Sequence, residues 1–387
     1  MRLPMRFWGA ACVLAAALIA LPAEAKDPGF HRGVNLSHWL QYDGRQPIRT
    51  EDVQSIAGAG FDHVRLPFDP VRLGWQPLTA DPGAPLAKVD QLDDAVTMIL
   101  AANLGVIVDF HPEADIKELI EGKPAARAAY LNLWKYLAAR YAPKSLDKVA
   151  FEVLNEPQYY GRGATAWNNL QKQAVATIRA VAPRNLLLLS GIRGSDIDAL
   201  ERTEVINDPN ACYVFHFYDP QLVTHLGADW DPYPSRAQGM MRGLIYPATD
   251  MAMGKVQFTP KARPSIVGEA VRKYLNEGWN YDRIVERIDI AKEWAASAGV
   301  CLRATEFGAL RGTLENSSRL RWMGDVRRAL ESADIGWTLW DYADIFGIAT
   351  AQGDVERLNS ETTMPAKTGR FTRTLDPIAL VVLGLAR

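Results

Sequence analysis

The sequence predicts a single (β/α)8 barrel, and three observations carry that prediction. Eight short apolar runs each end in Gly, Pro or a polar residue, and longer segments with helical apolar spacing separate them. The chain is also long enough for one large α/β domain, with no Gly/Ser-rich linker, repeat or like-charge block to divide it. The runs are Gly33–Ser37, His63–Pro67, Val106–His111, Val149–Asn155, Leu186–Ser190, Cys212–Tyr218, Leu302–Glu306 and Ile335–Trp340. Between them, Val89–Asn103, Ala125–Arg140, Trp167–Val181, Asp282–Ala298 and Arg319–Ser332 repeat apolar residues at helical spacing. Strands that alternate with helices imply right-handed crossovers and a parallel sheet, and eight such units suit a closed barrel. No glycine-rich phosphate loop follows the first run, which argues against a dinucleotide-binding sheet. The stretch 219–280 breaks the alternation; a connection that long is usually functional and is expected on the active face.

Residues 1–25 read as a cleaved leader, which leaves 26–387 as the folded domain. Arg2 and Arg6 precede the apolar run Phe7–Leu21, and Ala23-Glu24-Ala25 supplies a small-x-small cleavage site. Cys12 lies within that run without a lipobox around it. The reading is therefore export, to a periplasm or the exterior, with no membrane attachment after cleavage. A formal charge of −2 and a pI near 6.3 argue against nucleic acid or an anionic membrane as partner. Cys212 and Cys301 are the remaining cysteines; export permits a bridge, but each opens an apolar run and reads as a buried thiol. Parity along the runs gives the same answer. Cys212 shares the inward parity of His216, whereas Cys301, five residues before Glu306, points outward. Two cysteines give no support for a metal cluster, and no cofactor or metal is expected.

Barrel enzymes place their chemistry at the C-terminal ends of the strands. Here those ends carry Asn35, Arg65, His111, Asn155 with Glu156, His216 with Tyr218, Glu306 and Trp340. One such residue is most simply a structural hydrogen-bonding group, but polar side chains at nearly every strand end point to a site. Glu156 and Glu306 each close an apolar run before Pro or Gly, as two carboxylates flanking a scissile glycosidic bond would. Asp109 and Glu152 share inward parity with His111 and Glu156 but sit deeper. They read as buried partners of Arg65, because a buried charge needs pairing.

Taken in strand order, HVRLPF, VIVDFH, LNEP, FHFYDP, TEFG and TLWDY resemble the motifs of glycoside hydrolase family 5, the large cellulase family of the (β/α)8 glycosidases. The resemblance runs from Arg32-Gly33-Val34-Asn35-Leu36 through the Trp340 region. It implies Glu156 as acid/base and Glu306 as nucleophile, with carboxyls about 5 Å apart in the retaining geometry. It further implies that Asn155 holds the sugar 2-hydroxyl and that Arg65 and Tyr218 hydrogen-bond the nucleophile. His111 and His216 would line the −1 subsite, with Trp340 as its floor. Thr305 departs from the Gly that many relatives carry before the nucleophile, a change in strand packing rather than in acid/base machinery.

The nucleophile's negative charge is expected to raise the acid's pKa before glycosylation. Trp39, Trp75, Trp230 and Tyr233 are candidate extensions of the stacking platform, or core. The activity implied is a monomeric retaining β-glycan hydrolase acting on a β-linked oligo- or polysaccharide. HFYDP followed by LVTHLGADW resembles members acting on β-1,4-glucan, which makes an endo-β-1,4-glucanase the first expectation. An exo-β-glucosidase, a β-1,3-glucanase or a mannanase would share the same machinery. A carbohydrate-binding protein without catalysis is the alternative of another class.

Overall fold

A computed structural model describes residues 29–41, 46–78, 86–159, 163–230, 237, 241–249, 256–258, 266–366 and 368–385. The expected leader, residues 1–25, and Tyr233 lie outside the described residues. All eight predicted strands form: β1 (Arg32–Asn35), β2 (His63–Phe68), β3 (Gly105–Phe110), β4 (Val149–Glu152), β5 (Leu186–Ser190), β6 (Ala211–Phe217), β7 (Cys301–Phe307) and β8 (Gly336–Leu339). They pair in parallel and in sequence, and β1 closes on β8. The five helices read from apolar spacing are present as Val89–Ala101, Pro124–Tyr141, Gly163–Arg179, Tyr281–Ala298 and Asn316–Ser332. Tyr281–Ala298 shows how the sequence sets an element's limits. The Asn280 side chain accepts from the Arg283 amide at its start, and Gly299 ends it in the left-handed region.

Two layers of apolar contact hold the barrel. The larger cluster fills the space between strands and helices, while Phe30, Ile107, Ala150, Leu186, Leu188, Cys212 and Val214 form a smaller one. In β3 and β4 the residues of inward parity above Ile107 and Ala150 are Asp109 and Glu152, so the interior turns from apolar to charged toward the C-terminal mouth.

The cysteines are bridged, against expectation: Cys212 and Cys301 form a disulfide with a Cα–Cα distance of 4.5 Å. They are direct register partners on β6 and β7, and the register then slips between Phe215 and His216. Cys212 pairs with Cys301 below the slip, and His216 pairs with Glu306 above it. Counting parity back from Glu306 through that bulge inverts the side on which Cys301 lies. Thiol counting on unfolded, unreduced protein should therefore find Cys212 and Cys301 both blocked. The bridge spans 89 residues. Cys301→Ser is expected to lower stability by roughly 2–5 kcal/mol in denaturant melts, a loss that reductant reproduces in the parent protein.

The stretch 219–280 is more structured than a loop. Its described parts contain the short helix Gln221–Thr224, paired strands Met241–Arg242 and Gln257–Phe258, and the helix Ile266–Asn276. After β8 the chain adds two antiparallel pairs, Ala349–Gly353 with Phe371–Leu375 and Val355–Arg357 with Thr363–Pro365. They are joined to the barrel's outer layer by a buried ion pair of 2.8 Å from Arg373 to Asp52 in the helix Thr50–Gly58.

Candidate active site

Arg65, on β2, is wholly buried and organises the mouth of the barrel. Its Nε and Nη2 donate to the two oxygens of Glu152, each at 2.8 Å. Nη2 also donates to Asn155 Oδ1 at 2.8 Å and lies 3.0 Å from Asp109 Oδ2. Nη1 donates to Asn35 Oδ1 at 2.9 Å and to Glu306 Oε1 at 2.7 Å. Burial opposes the charge of Arg65, but Asp109, Glu152 and Glu306 outweigh it and hold the guanidinium protonated. Asp109 and Glu152 are thus the buried partners the strand parity predicts. Burial pushes the Asp109 carboxyl up to about 6 despite the nearby positive charge of Arg65.

Glu306 is held from two sides. Arg65 donates to one oxygen, and the Tyr218 hydroxyl donates to the other at 2.9 Å. Burial and the charges of both glutamates keep the Tyr218 phenol protonated, so it remains a donor. Glu156 Oε1 lies 2.9 Å from His216 Nδ1, which is also 3.4 Å from Glu306 Oε2. One carboxylate oxygen of each glutamate and a ring nitrogen of His216 lie within 4.8 Å of one another. That spacing fits the close pair of a retaining glycosidase, about 5–5.5 Å, rather than the wider inverting pair. The three groups are also compact enough to chelate a cation, although Arg65 already supplies positive charge to Glu306.

The electrostatics of Glu156 differ from expectation. Burial pushes Glu156 up, but the hydrogen bond and charge of His216 outweigh burial and hold the carboxyl down at about 2. For His216 the balance runs the other way: burial lowers it, while the charges of Glu306 and Glu156 raise it. The resting proton therefore sits on His216, where a reading from the two carboxylates alone put it on Glu156.

His111 and Asn155 form the opposite flank. Burial, followed by the charge of Arg65, pushes His111 down to about 3, so its ring is neutral. The neutral tautomer that fits donates from Nδ1 to Asp109 at 2.8 Å and accepts at Nε2 from the Asn155 amide at 2.9 Å. Trp340, half-buried, stacks on His111 with ring centroids 5.7 Å apart and planes 22° from parallel. Gly308 makes room for that wall, since a Cβ there would collide with the Trp340 carbonyl oxygen.

All eight predicted residues therefore meet at one barrel mouth, joined by hydrogen bonds and ring contacts from Arg65 through to Trp340. The family model for cellulase (glycosyl hydrolase family 5) matches residues 24–344. The chain belongs to glycosyl hydrolase family 5. By that membership it is a glycoside hydrolase. Among similar family proteins, endoglucanase C of Acetivibrio thermocellus is 29% identical over 331 residues, covering 81% of this chain and 91% of the relative. Endoglucanase 3 of Fibrobacter succinogenes is 27% identical over 340 residues, covering 82% of this chain but only 50% of the longer relative. The barrel also resembles Thermotoga maritima Cel5A solved with mannotriose, at TM-score 0.70 and 22% identity, with 92% and 98% of the two chains covered. Subunit Z of the Clostridioides difficile cellulose synthase aligns at TM-score 0.68 and 21% identity, over 92% and 99%.

The platform candidates separate by burial. Trp75 is core, and Trp39 is half-buried against the core. Trp230 is 56% exposed and joins an aromatic group of Tyr218, His225 and Phe346 beside Glu306. Phe346 and His225 were not singled out from the sequence. A contiguous aromatic group built from two loops has no period along either one. Asn35 escaped a site role too, although its amide ties the Thr305 and Leu339 carbonyls together beneath Glu306 at 3.1 Å each.

Proposed function

We propose that this family 5 glycoside hydrolase is an exported, retaining endo-β-1,4-glucanase that acts as a single folded domain, residues 26–387. The observation that carries the reading is the close pair of carboxylates with unlike partners. Glu306 is held by Arg65 and Tyr218, and Glu156 by His216.

Glu306 attacks the anomeric carbon while the bond to the leaving oxygen breaks and Glu156 gives that oxygen a proton. Because the resting proton lies on His216, it moves to Glu156 across the 2.9 Å contact as the leaving oxygen takes up charge. Forming the ester removes the charge of Glu306. Glu156, now a base, takes a proton from water, and the water oxygen displaces Glu306 from the opposite face. One hydrogen of the Asn155 amide is spent on His111 and its oxygen on Arg65, which leaves the other hydrogen for the sugar 2-hydroxyl. Trp340 offers the −1 sugar a flat apolar face.

The substrate class rests on the relatives named endoglucanase and on the HFYDP and LVTHLGADW segments. Export rests on the leader pattern of residues 1–25 and on the disulfide, which reducing compartments disfavour. A monomer is the simplest state for this reading. Among the described residues no helix is long and apolar enough to cross a membrane.

On mixed-linkage β-glucan or carboxymethylcellulose, viscosity is expected to fall well before much reducing sugar appears. Early products followed by proton NMR should show the β-anomer first. Glucose release from chain ends at constant viscosity would replace the endo reading with the exo one. An initial α-anomer would contradict retention.

A further inference from the structure

The acid side of the cleft is built on backbone that side chains rarely adopt. Arg193, Gly194 and Ser195 are consecutive left-handed residues with φ of 59°, 72° and 58°, and Glu156 itself has φ 47°. Two of the three turn residues are not glycine, so the conformation is imposed by its surroundings, and strain of this kind collects at functional sites. The two strained segments are clipped together. The Gly194 amide donates to the Pro157 carbonyl at 3.2 Å, one residue beyond Glu156. A Cβ on Gly194 would point at the Glu156 carboxyl carbon from 3.9 Å, with nothing else within 4 Å. Ser195 is 1% exposed, and its hydroxyl has no hydrogen-bond partner among the described residues.

This turn borders a groove of about 410 Å³ lined by Glu156, Arg193, Gly194, Asp196, Gln221 and His225. The groove lies on the β5 and β6 side of Glu156, whereas Trp340 and His111 flank the cleft from β8 and β3. An acid that protonates a glycosidic oxygen stands between the sugar that reacts and the sugar that leaves. With the reacting sugar over Trp340, the departing one occupies the groove past Glu156. Arg193 is 45% exposed there and only loosely paired with Asp196, at 4.0 Å, so its guanidinium can donate to sugar hydroxyls.

We propose that the left-handed turn Arg193–Gly194–Ser195 is the leaving-group wall of the cleft, in which Gly194 positions the Glu156 carboxyl and Arg193 holds the departing sugar. The inference rests on Glu156 being the acid, and the test separates the two. Gly194→Ala, Arg193→Gly and Glu156→Ala are compared on cellotetraose and on 2,4-dinitrophenyl β-cellobioside, whose leaving group needs no proton. Gly194→Ala should lower kcat/KM, which reports the steps up to ester formation, at least tenfold on cellotetraose, change it less than twofold on the dinitrophenyl substrate, and move the basic limb of the cellotetraose pH profile. Equal losses on both substrates, or none, would overturn the positioning role. Arg193→Gly relieves a left-handed non-glycine residue, so it should melt no lower than the parent even if Gly194→Ala fails to fold. Its KM should rise at least threefold for cellotetraose and stay constant for the aryl glycoside; an unchanged cellotetraose KM would overturn the proposal. If Glu156→Ala lacks leaving-group dependence, the acid assignment falls and this inference falls with it. If Glu156→Ala shows the dependence and the turn variants do not, only the turn is misassigned.

Discussion

Glu306→Ala is expected to lower kcat on the order of 10⁵-fold or more, the scale seen when a covalent nucleophile is removed. The protein should stay folded, because Arg65 keeps Asp109 and Glu152 as partners and the new space opens onto the cleft. Azide should partly restore turnover by entering that space and attacking the same face of the anomeric carbon. Its product would be the inverted, α-configured glycosyl azide. In Glu156→Ala the first step still forms the ester on Glu306, so azide should give the retained β-azide. Loss there should be about 10²–10⁴-fold on poor leaving groups, the scale of general acid catalysis. Interchanged azide products would exchange the two roles.

Replacing Arg65 should have the largest effect on stability. Arg65→Met leaves Asp109, Glu152 and Glu306 grouped in the barrel mouth without their shared cation. Removing one partner from a buried ion pair costs about 3–5 kcal/mol, and here three carboxylates lose theirs. The loss should depend on pH with a definite sign. Burial already holds the native Asp109 carboxyl above its usual value, at about 6. Such a group binds more protons folded than unfolded, so its contribution to stability is full below about pH 4 and falls as pH rises toward 6. Removing Arg65 raises the native carboxyls further and extends that window upward. Urea melts should therefore show a smaller deficit at pH 5, where protons partly replace the guanidinium, than at pH 8. A deficit under about 1 kcal/mol, or one independent of pH, would contradict the role given to Arg65. Activity should also fall at least 10²-fold, since Asn35, Asn155 and Glu306 all lose their common donor.

Much of this site was legible because barrel chemistry clusters at strand ends, and each strand announced its end. Glu156 and Glu306 terminate apolar runs, and Arg65, His111, His216 and Trp340 stand at the equivalent places on their own strands. Alternation also identified Asp109 and Glu152 as deep partners of Arg65. The same alternation misled at the cysteines, because a bulge between Phe215 and His216 shifts the register, and its position is not encoded in apolar spacing. The proton on His216 was missed for a different reason. Repulsion between two glutamates is visible in the motifs, whereas the 2.9 Å contact of Glu156 with His216, which outweighs the burial of the carboxyl, arises only when β4 and β6 are brought together. The turn 193–195 carries only the weak signature of glycines in SGIRGSD, and left-handed Arg and Ser contradict local preference. The antiparallel pairs after β8 are short and mixed in polarity, so they offer neither a strand period nor a turn signal strong enough to read.

The proposed mechanism requires a covalent intermediate on Glu306 formed with Glu156 as acid. Incubation with 2,4-dinitrophenyl 2-deoxy-2-fluoro-β-cellobioside, followed by intact mass and peptide mapping, tests it most directly. The fluorine slows both steps, and the good leaving group lets the ester form faster than water removes it. One fluorocellobiosyl group per chain should be added, located on Glu306 in the β7 peptide. Turnover with no adduct, or an adduct on Glu156, would contradict it.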